Sequence, residues 1–103
     1  MVKVSVMYPN GTDTKFDMAY YLERHMPMVK TKLGSACKKA EVEQGLGGGQ
    51  PGAPAPFVAV CHLHFDSVDA FQAAFGPHAE SIMSDIPNYT NAQPTVQVSE
   101  IKW

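Results

Sequence analysis

"FVAVCHLHF", Phe57 to Phe65, is the stretch on which the fold turns. Phe57, Ala59, Cys61, Leu63 and Phe65 share one face of an extended chain, and all five are apolar. Val58, Val60, His62 and His64 share the other. Side chains alternate across a strand, so this is a strand with two faces to cover. A strand of that kind belongs inside a sheet, and something must lie against each side of the sheet.

Working outward, "VKVSVMY" (Val2 to Tyr8) alternates strictly, with Val2, Val4, Val6 and Tyr8 on one face, and "PNGT" ends it as a turn. "KKAEVEQGL" (Lys38 to Leu46) alternates again, sending Ala40 and Val42 one way and Lys39, Glu41 and Glu43 to a wet side. "TVQVSEIKW" (Thr95 to Trp103) reads as a last strand. Between the second and third strands, "GLGGGQPGAPAP" (Gly45 to Pro56) is too rich in glycine and proline for either regular element. It is a long loop, suited to a lid or a dimer-contact arm.

Two helices complete the order. Asp17 is the expected N-cap of the first, with Phe16 and Tyr21 as a hydrophobic staple. Steps of 100° put Met18, Leu22, His25, Val29 and Leu33 on its core-facing stripe. Pro27 cannot donate to the residue 23 carbonyl, so a kink or break is expected beside His25. Asp66 is the expected cap of the second helix, with Asp69 at the reciprocal position and Val68, Phe71 and Phe75 turned inward. Gly76-Pro77 stops it, His78 to Ile86 makes a shorter piece, and "PNYTNAQP" is loop.

The order β-α-β-β-α-β predicts an α+β, ferredoxin-like domain over residues 1–103: one four-stranded antiparallel sheet with both helices on one face. The face without helices then needs a partner, most simply the same sheet of a second copy, giving a homodimer of the dimeric α+β barrel type with a cavity between the sheets.

Composition narrows the function classes. With a net charge of −2 over 103 residues there is no basic footprint for nucleic acid. No apolar run nears the roughly 18 residues of a membrane span, and the alternating N-terminus is unlike a signal peptide. Cys37 and Cys61 form neither a CxxC nor a dense disulfide framework, so a reducing cytoplasm is the expected setting, and the sequons at Asn10 and Asn88 mark turns only.

"MVKVSVMYPN", "FDMAYYLERHMPMV" and "HFDSVDAFQAAFGPHAESIMSDIPNYTN" resemble the EthD family, named for ethyl tert-butyl ether degradation, of the dimeric α+β barrel superfamily. The resemblance spans essentially the whole chain, and F-D-x-x-Y-Y-x-x-x-H-x-P is its most specific part. It implies a ferredoxin-like protomer, a barrel-forming dimer, and a bacterial cytoplasmic protein linked to oxidative breakdown of small organic molecules, often as an accessory. Relatives in the superfamily include cofactor-free isomerases, polyketide cyclases and monooxygenases acting on small, mostly apolar substrates. The fold does not choose among them.

His25 is the first candidate for chemistry, because an imidazole with a pKa near ~6.5 both takes and returns a proton. Tyr21, one turn earlier, would orient it or donate to a ligand oxygen. The competing reading makes His25 a core residue bonded to a carbonyl. His62 and His64 leave their strand on the same face, toward the expected dimer cavity, with Val58 and Val60 beside them as ligand-contacting walls. His64 is taken as an acid–base partner for His25. An H-x-H pair also suggests a metal, but no carboxylate or cysteine is evidently placed to complete a site, so neither metal nor cofactor is expected. Tyr89 would close over the pocket mouth. "GLGGG" lacks the lysine and the strand–helix context of a phosphate loop, and no serine or cysteine has the setting of a nucleophile.

The expected function is binding of a small apolar organic compound in the dimer cavity. Cofactor-independent proton transfer (isomerase or cyclase) or monooxygenase-like oxidation would be its chemistry. A non-catalytic carrier of an oxidative pathway and a purely structural dimer are the alternatives.

Overall fold

In the computed structural model, which describes residues 1–103, four strands form one sheet. They are β1 (Val2–Pro9), β2 (Lys39–Gln44), β3 (Phe57–Phe65) and β4 (Thr95–Glu100), in the order β2-β3-β1-β4 with every neighbour antiparallel. This is the expected ferredoxin-like α+β arrangement. β1 sets Val4 opposite Leu63 and Val6 opposite Cys61, which sends both apolar faces to one side. Val2, Val4 and Tyr8 of β1, and Ala59, Cys61, Leu63 and Phe65 of β3, are buried there against Tyr21, Val29, Leu33 and Ile82. On the other side of the sheet Lys3, Ser5, Met7, Val58, Val60, His62 and His64 stay half-buried within the protomer.

The first helix is continuous over residues 18–33 but not uniform. α1 (Met18–Tyr20) is capped by Asp17, whose side chain accepts from the Tyr20 N–H at 3.0 Å. A π-turn follows over Tyr21–His25, closed by the Met26 N–H on the Tyr21 carbonyl, and α2 (Met26–Leu33) completes it. Pro27 then falls in the first turn of α2, where its missing N–H costs little. So the expected kink is resolved as a widened turn, of the type that gathers at functional sites.

The π-turn also corrects the inward stripe. His25, Val29 and Leu33 are buried as expected, but the extra residue shifts the phase before them, so Tyr21 joins them while Leu22 is 49% exposed and Met18 half-buried. The helix ends at Gly34, whose φ of 62° lies in the left-handed region that favours glycine.

The second helical region comprises α3 (Val68–Phe75), α4 (Ala79–Ser84) and 3-10 turns over Gly76–His78 and Ile86–Asn88. Its cap is Ser67, not Asp66: Ser67 Oγ accepts from the Ala70 N–H at 3.0 Å. Asp66 lies one residue too early to reach the first free amides and instead faces Lys38 at 3.8 Å. Val68, at the very start of α3, is 42% exposed, leaving Phe71 and Phe75 to pack inward.

β4 ends at Glu100, short of the expected Trp103, where its register with β1 reaches Val2. A single bond from the Ile101 N–H to the Met1 carbonyl closes the ladder.

The segment "PNYTN", read as loop, is tied down. Thr90 forms a bridge with Phe16, Thr90 Oγ1 donates to the Lys15 carbonyl at 2.6 Å, and the Asp17 N–H donates to the Tyr89 carbonyl at 2.7 Å. These bonds dock the segment onto the start of the first helix.

Candidate active site

The chemistry-bearing groups meet where that docked segment touches the π-turn. His25 is buried, 4% exposed, and its Nδ1 lies 2.9 Å from Asp85 Oδ2. A carboxylate only accepts, so Nδ1 carries the proton and Nε2 is the free base of the neutral ring. Asp85 Oδ1 accepts from Tyr20 Oη and from Asn88 Nδ2, each at 2.8 Å. Nε2 points toward Tyr89 Oη at 3.5 Å, and Tyr89 Oη lies 2.6 Å from Tyr8 Oη. The rings of Tyr21 and His25 stack with centroids 5.2 Å apart, and Tyr89 packs against His25 at 4.7 Å.

The electrostatics follow from burial against partnering. Burial holds the His25 pKa below its usual value, and the Asp85 carboxylate only partly offsets this, so the imidazole is neutral near pH 7. At Asp85, burial pushes upward but is outweighed by the donors Asn88, His25 and Tyr20, which hold the carboxyl below the ordinary aspartate range. Burial raises Tyr8, Tyr21 and Tyr89 above the usual phenol value and lifts the Cys61 thiol to about 11. All four stay protonated, which rules out an easily formed thiolate nucleophile.

Beside this group lies a cavity of about 310 Å³ between sheet and helices. That is within the range, roughly 300–1,000 Å³, of small-molecule sites. Val4, Val6, Tyr8, Cys61 and Leu63 form its floor, Tyr21, His25, Met26 and Val29 one wall, and Phe71, Phe75, Ile82 and Ile86 the other. Met83 and Val96 line it too while remaining 46% and 50% exposed, so the cavity opens at the β4 edge. Its walls are almost wholly apolar, with His25 and two phenols as the polar exceptions.

The structure therefore brings His25, Tyr21 and Tyr89 together, on the helix side of the sheet. Tyr89, however, is buried against His25 and is not part of the cavity wall, so it does not close the mouth as expected. His62, His64, Val58 and Val60 are on the opposite side and do not reach the cavity. His62 Nε2 meets Glu43 at 3.1 Å and Nδ1 meets Ser5 Oγ at 2.9 Å, while His64 Nε2 meets Glu41 at 3.3 Å. These are carboxylates that the sequence had not placed beside the histidine pair.

Sequence reasoning missed Asp85, Tyr8, Tyr20 and Asn88. Asp85 did leave a signal: it ends α4, where a negative charge opposes the helix dipole and must find donors elsewhere. Those donors are 60 and 65 residues away in the chain, at His25 and Tyr20.

The EthD domain model matches residues 9–93 of the chain. Among solved structures it is similar to an EthD-like protein from Ralstonia eutropha JMP134, with 50% identity, a TM-score of 0.93, and coverage of 99% of this chain and 92% of that one. It is also similar to an ethyl tert-butyl ether degradation family protein from Bacillus halodurans C-125, at 20% identity and TM-score 0.74 over 98% of each chain. A dimeric protein of unknown function and ferredoxin-like fold from Bacteroides fragilis matches at 16% identity and TM-score 0.59, over 97% of this chain and 95% of that one. Among curated proteins none matches.

Proposed function

This chain belongs to the EthD family, and from that premise we propose that it is a proton-transfer enzyme for a small apolar phenol, enol or enolisable carbonyl compound held in the cavity of each protomer. The observation that carries this reading is the Asp85–His25 pair on the wall of an otherwise apolar chamber. Asp85 sets the tautomer and leaves Nε2 as the base that takes up the proton the ligand releases and gives one back for another ligand atom. No electrons change hands, so isomerisation, ketonisation or cyclisation are the reaction types, and the chain supplies both base and acid. Tyr21, stacked on the imidazole, holds the ring in plane, and Tyr89 packs against it at a tilt. An apolar wall keeps bulk water from competing for the proton.

Deuterium entry into 1,3-dihydroxynaphthalene in D2O, read by mass spectrometry, tests this. The protein is expected to speed exchange at ring carbon at least about a hundredfold over buffer, the low end for a positioned base. His25→Gln should return the rate to that of buffer, and so should Val96→Trp, which plugs the mouth without touching the core. Full exchange in a folded His25→Gln variant would overturn the role of the base. Tight binding with no exchange in any variant would favour the carrier reading instead.

A homodimer through the helix-free sheet face is part of the same proposal. It is supported by the half-buried valines Val58 and Val60 on that face and by the relative from Bacteroides fragilis described as dimeric. Light scattering should give twice the mass of the 11.2 kDa chain, and Val60→Lys should halve it. A monomer at micromolar concentration would end that part of the proposal.

A further inference from the structure

We propose that Tyr8 and Tyr89 form a hydroxyl relay between the cavity and His25, whose one-way hydrogen bonds select a ligand that donates a hydroxyl, a phenol or an enol, over one that cannot. The proposal rests on the cavity being a ligand site, as above, and adds the chemical class that the site prefers.

The direction of the relay follows from counting protons. Asp85 can only accept, so the single proton of a neutral His25 sits on Nδ1. Nε2 is then a buried lone pair, and Tyr89 Oη at 3.5 Å is its hydrogen-bond partner. A buried acceptor left unpaired is costly, so Tyr89 donates its one proton to Nε2. The 2.6 Å contact between Tyr89 and Tyr8 can then be made only if Tyr8 donates. Tyr8 has now spent its proton, and its oxygen faces onward as an acceptor.

Unlike Tyr89, Tyr8 is part of the cavity wall. The Tyr8 oxygen, its proton given to Tyr89, keeps lone pairs free to accept from a ligand. A ligand hydroxyl donating there completes an unbroken series of donors from cavity to carboxylate. Each hydroxyl in it can pass a proton inward as it receives one. For an enol, the oxygen gives its proton to Tyr8, Tyr8 gives its own to Tyr89, and Tyr89 gives its own to Nε2. On the return the imidazolium gives its Nε2 proton back to Tyr89, Tyr89 gives its own to Tyr8, and Tyr8 gives its own to the ligand carbon. Atoms and charge balance without a co-reactant. A ligand with no donor would leave these lone pairs of Tyr8 unpaired inside apolar walls.

Equilibrium dialysis at pH 7.5 with two probes of nearly equal size tests the relay: 2-naphthol, which donates, and 2-fluoronaphthalene, which does not. The fluoro compound is the more apolar, so simple partitioning predicts that it binds better. The relay predicts the reverse, with 2-naphthol tighter by about tenfold, the worth of one well-made buried hydrogen bond. In Tyr8→Phe and in Tyr89→Phe the preference should fall to within about threefold while the affinity for 2-fluoronaphthalene holds, because each variant removes only an oxygen. Should Tyr8→Phe fold poorly, Tyr89→Phe decides, since it cuts the relay at its middle. Equal binding of the two probes to the unmodified protein would overturn the relay alone, as would a preference that survives in a folded variant. Failure of both probes to bind would overturn the cavity reading and the relay with it.

Discussion

Tyr21→Ala is expected to destabilise the protein by about 3–5 kcal/mol, the range for emptying a large aromatic site in a core. Leu22→Ala, one residue on, is expected to cost less than about 0.5 kcal/mol, as at other surface positions. An uninterrupted α-helix starting at Asp17 narrows this gap, because its 100° steps place Leu22 inward and Tyr21 at the margin of the stripe. The π-turn over Tyr21–His25 is what turns Tyr21 into the core. There the ring is 1% exposed and contacts Phe16, Tyr8, His25 and Tyr89, with centroids 5.0, 5.8, 5.2 and 4.9 Å away. Each such aromatic pair adds roughly 0.5–1.5 kcal/mol beyond the area it buries. Urea unfolding of the two variants side by side reads the difference directly. Similar losses at both positions would mean that the widened turn is absent in solution.

Asp85→Asn is expected to carry the second large effect, in stability and in its pH dependence together. Three donors converge on this carboxylate, from His25, Tyr20 and Asn88. Hydrogen bonds to a charged acceptor exceed neutral ones, so the amide should cost about 1–2 kcal/mol at pH 7.5. The pH dependence has a definite sign. The folded His25 pKa lies below its ordinary 6.5, so the unfolded chain binds the proton more readily. The contribution of His25 is therefore complete above pH 6.5 and is lost as pH falls through the lower folded value. Asp85, also held below its ordinary 3.8, contributes in the same direction, and its share is lost in stronger acid.

With asparagine at position 85 the share of Asp85 in the acid loss below pH 3.8 should vanish, leaving that of Glu41, which its hydrogen bond to His64 holds below the ordinary glutamate value. Burial, no longer opposed by a carboxylate, should push His25 lower still and enlarge the loss that begins at pH 6.5. Melting temperature measured from pH 8 to pH 3 for both proteins, with the His25 ring followed by NMR, checks this. A His25 pKa that rises in Asp85→Asn would contradict the assigned pairing. So would an unchanged stability profile between pH 6.5 and pH 5.

Much of this architecture can be read from short segments. The alternation in Phe57–Phe65 assigned Ala59, Cys61, Leu63 and Phe65 to one side and His62 and His64 to the other, and the structure keeps that division. Asp17 set the start of the first helix, and Phe16 does pack on Tyr21 as the staple requires. Two errors were local. Asp66 and Ser67 are both good caps, and only the point where β3 releases the chain chooses between them. Pro27 advertised a disturbance, yet whether the helix kinks or widens depends on what the next turn packs against.

The site itself was only half legible. His25, Tyr21 and Tyr89 stood out as residue types in an unusual setting, and they do gather. Their union with Asp85 and Tyr8 joins the first strand, the first helix and the last helical turns, across 60 to 81 residues of chain. No local pattern encodes that meeting.

By itself, then, the amino-acid sequence determined the element order, the buried faces of β1 and β3 and the place where the first helix begins. Each of these follows from a period of two, a turn or a cap, and so from interactions within a few residues. Only the tertiary structure decided that the chamber lies between sheet and helices, with His25 inside it and His64 on the far side of the sheet. That outcome depends on how far the helices stand off the strands and on which loop closes the gap. Both are set by the mutual packing of side chains distant in the chain.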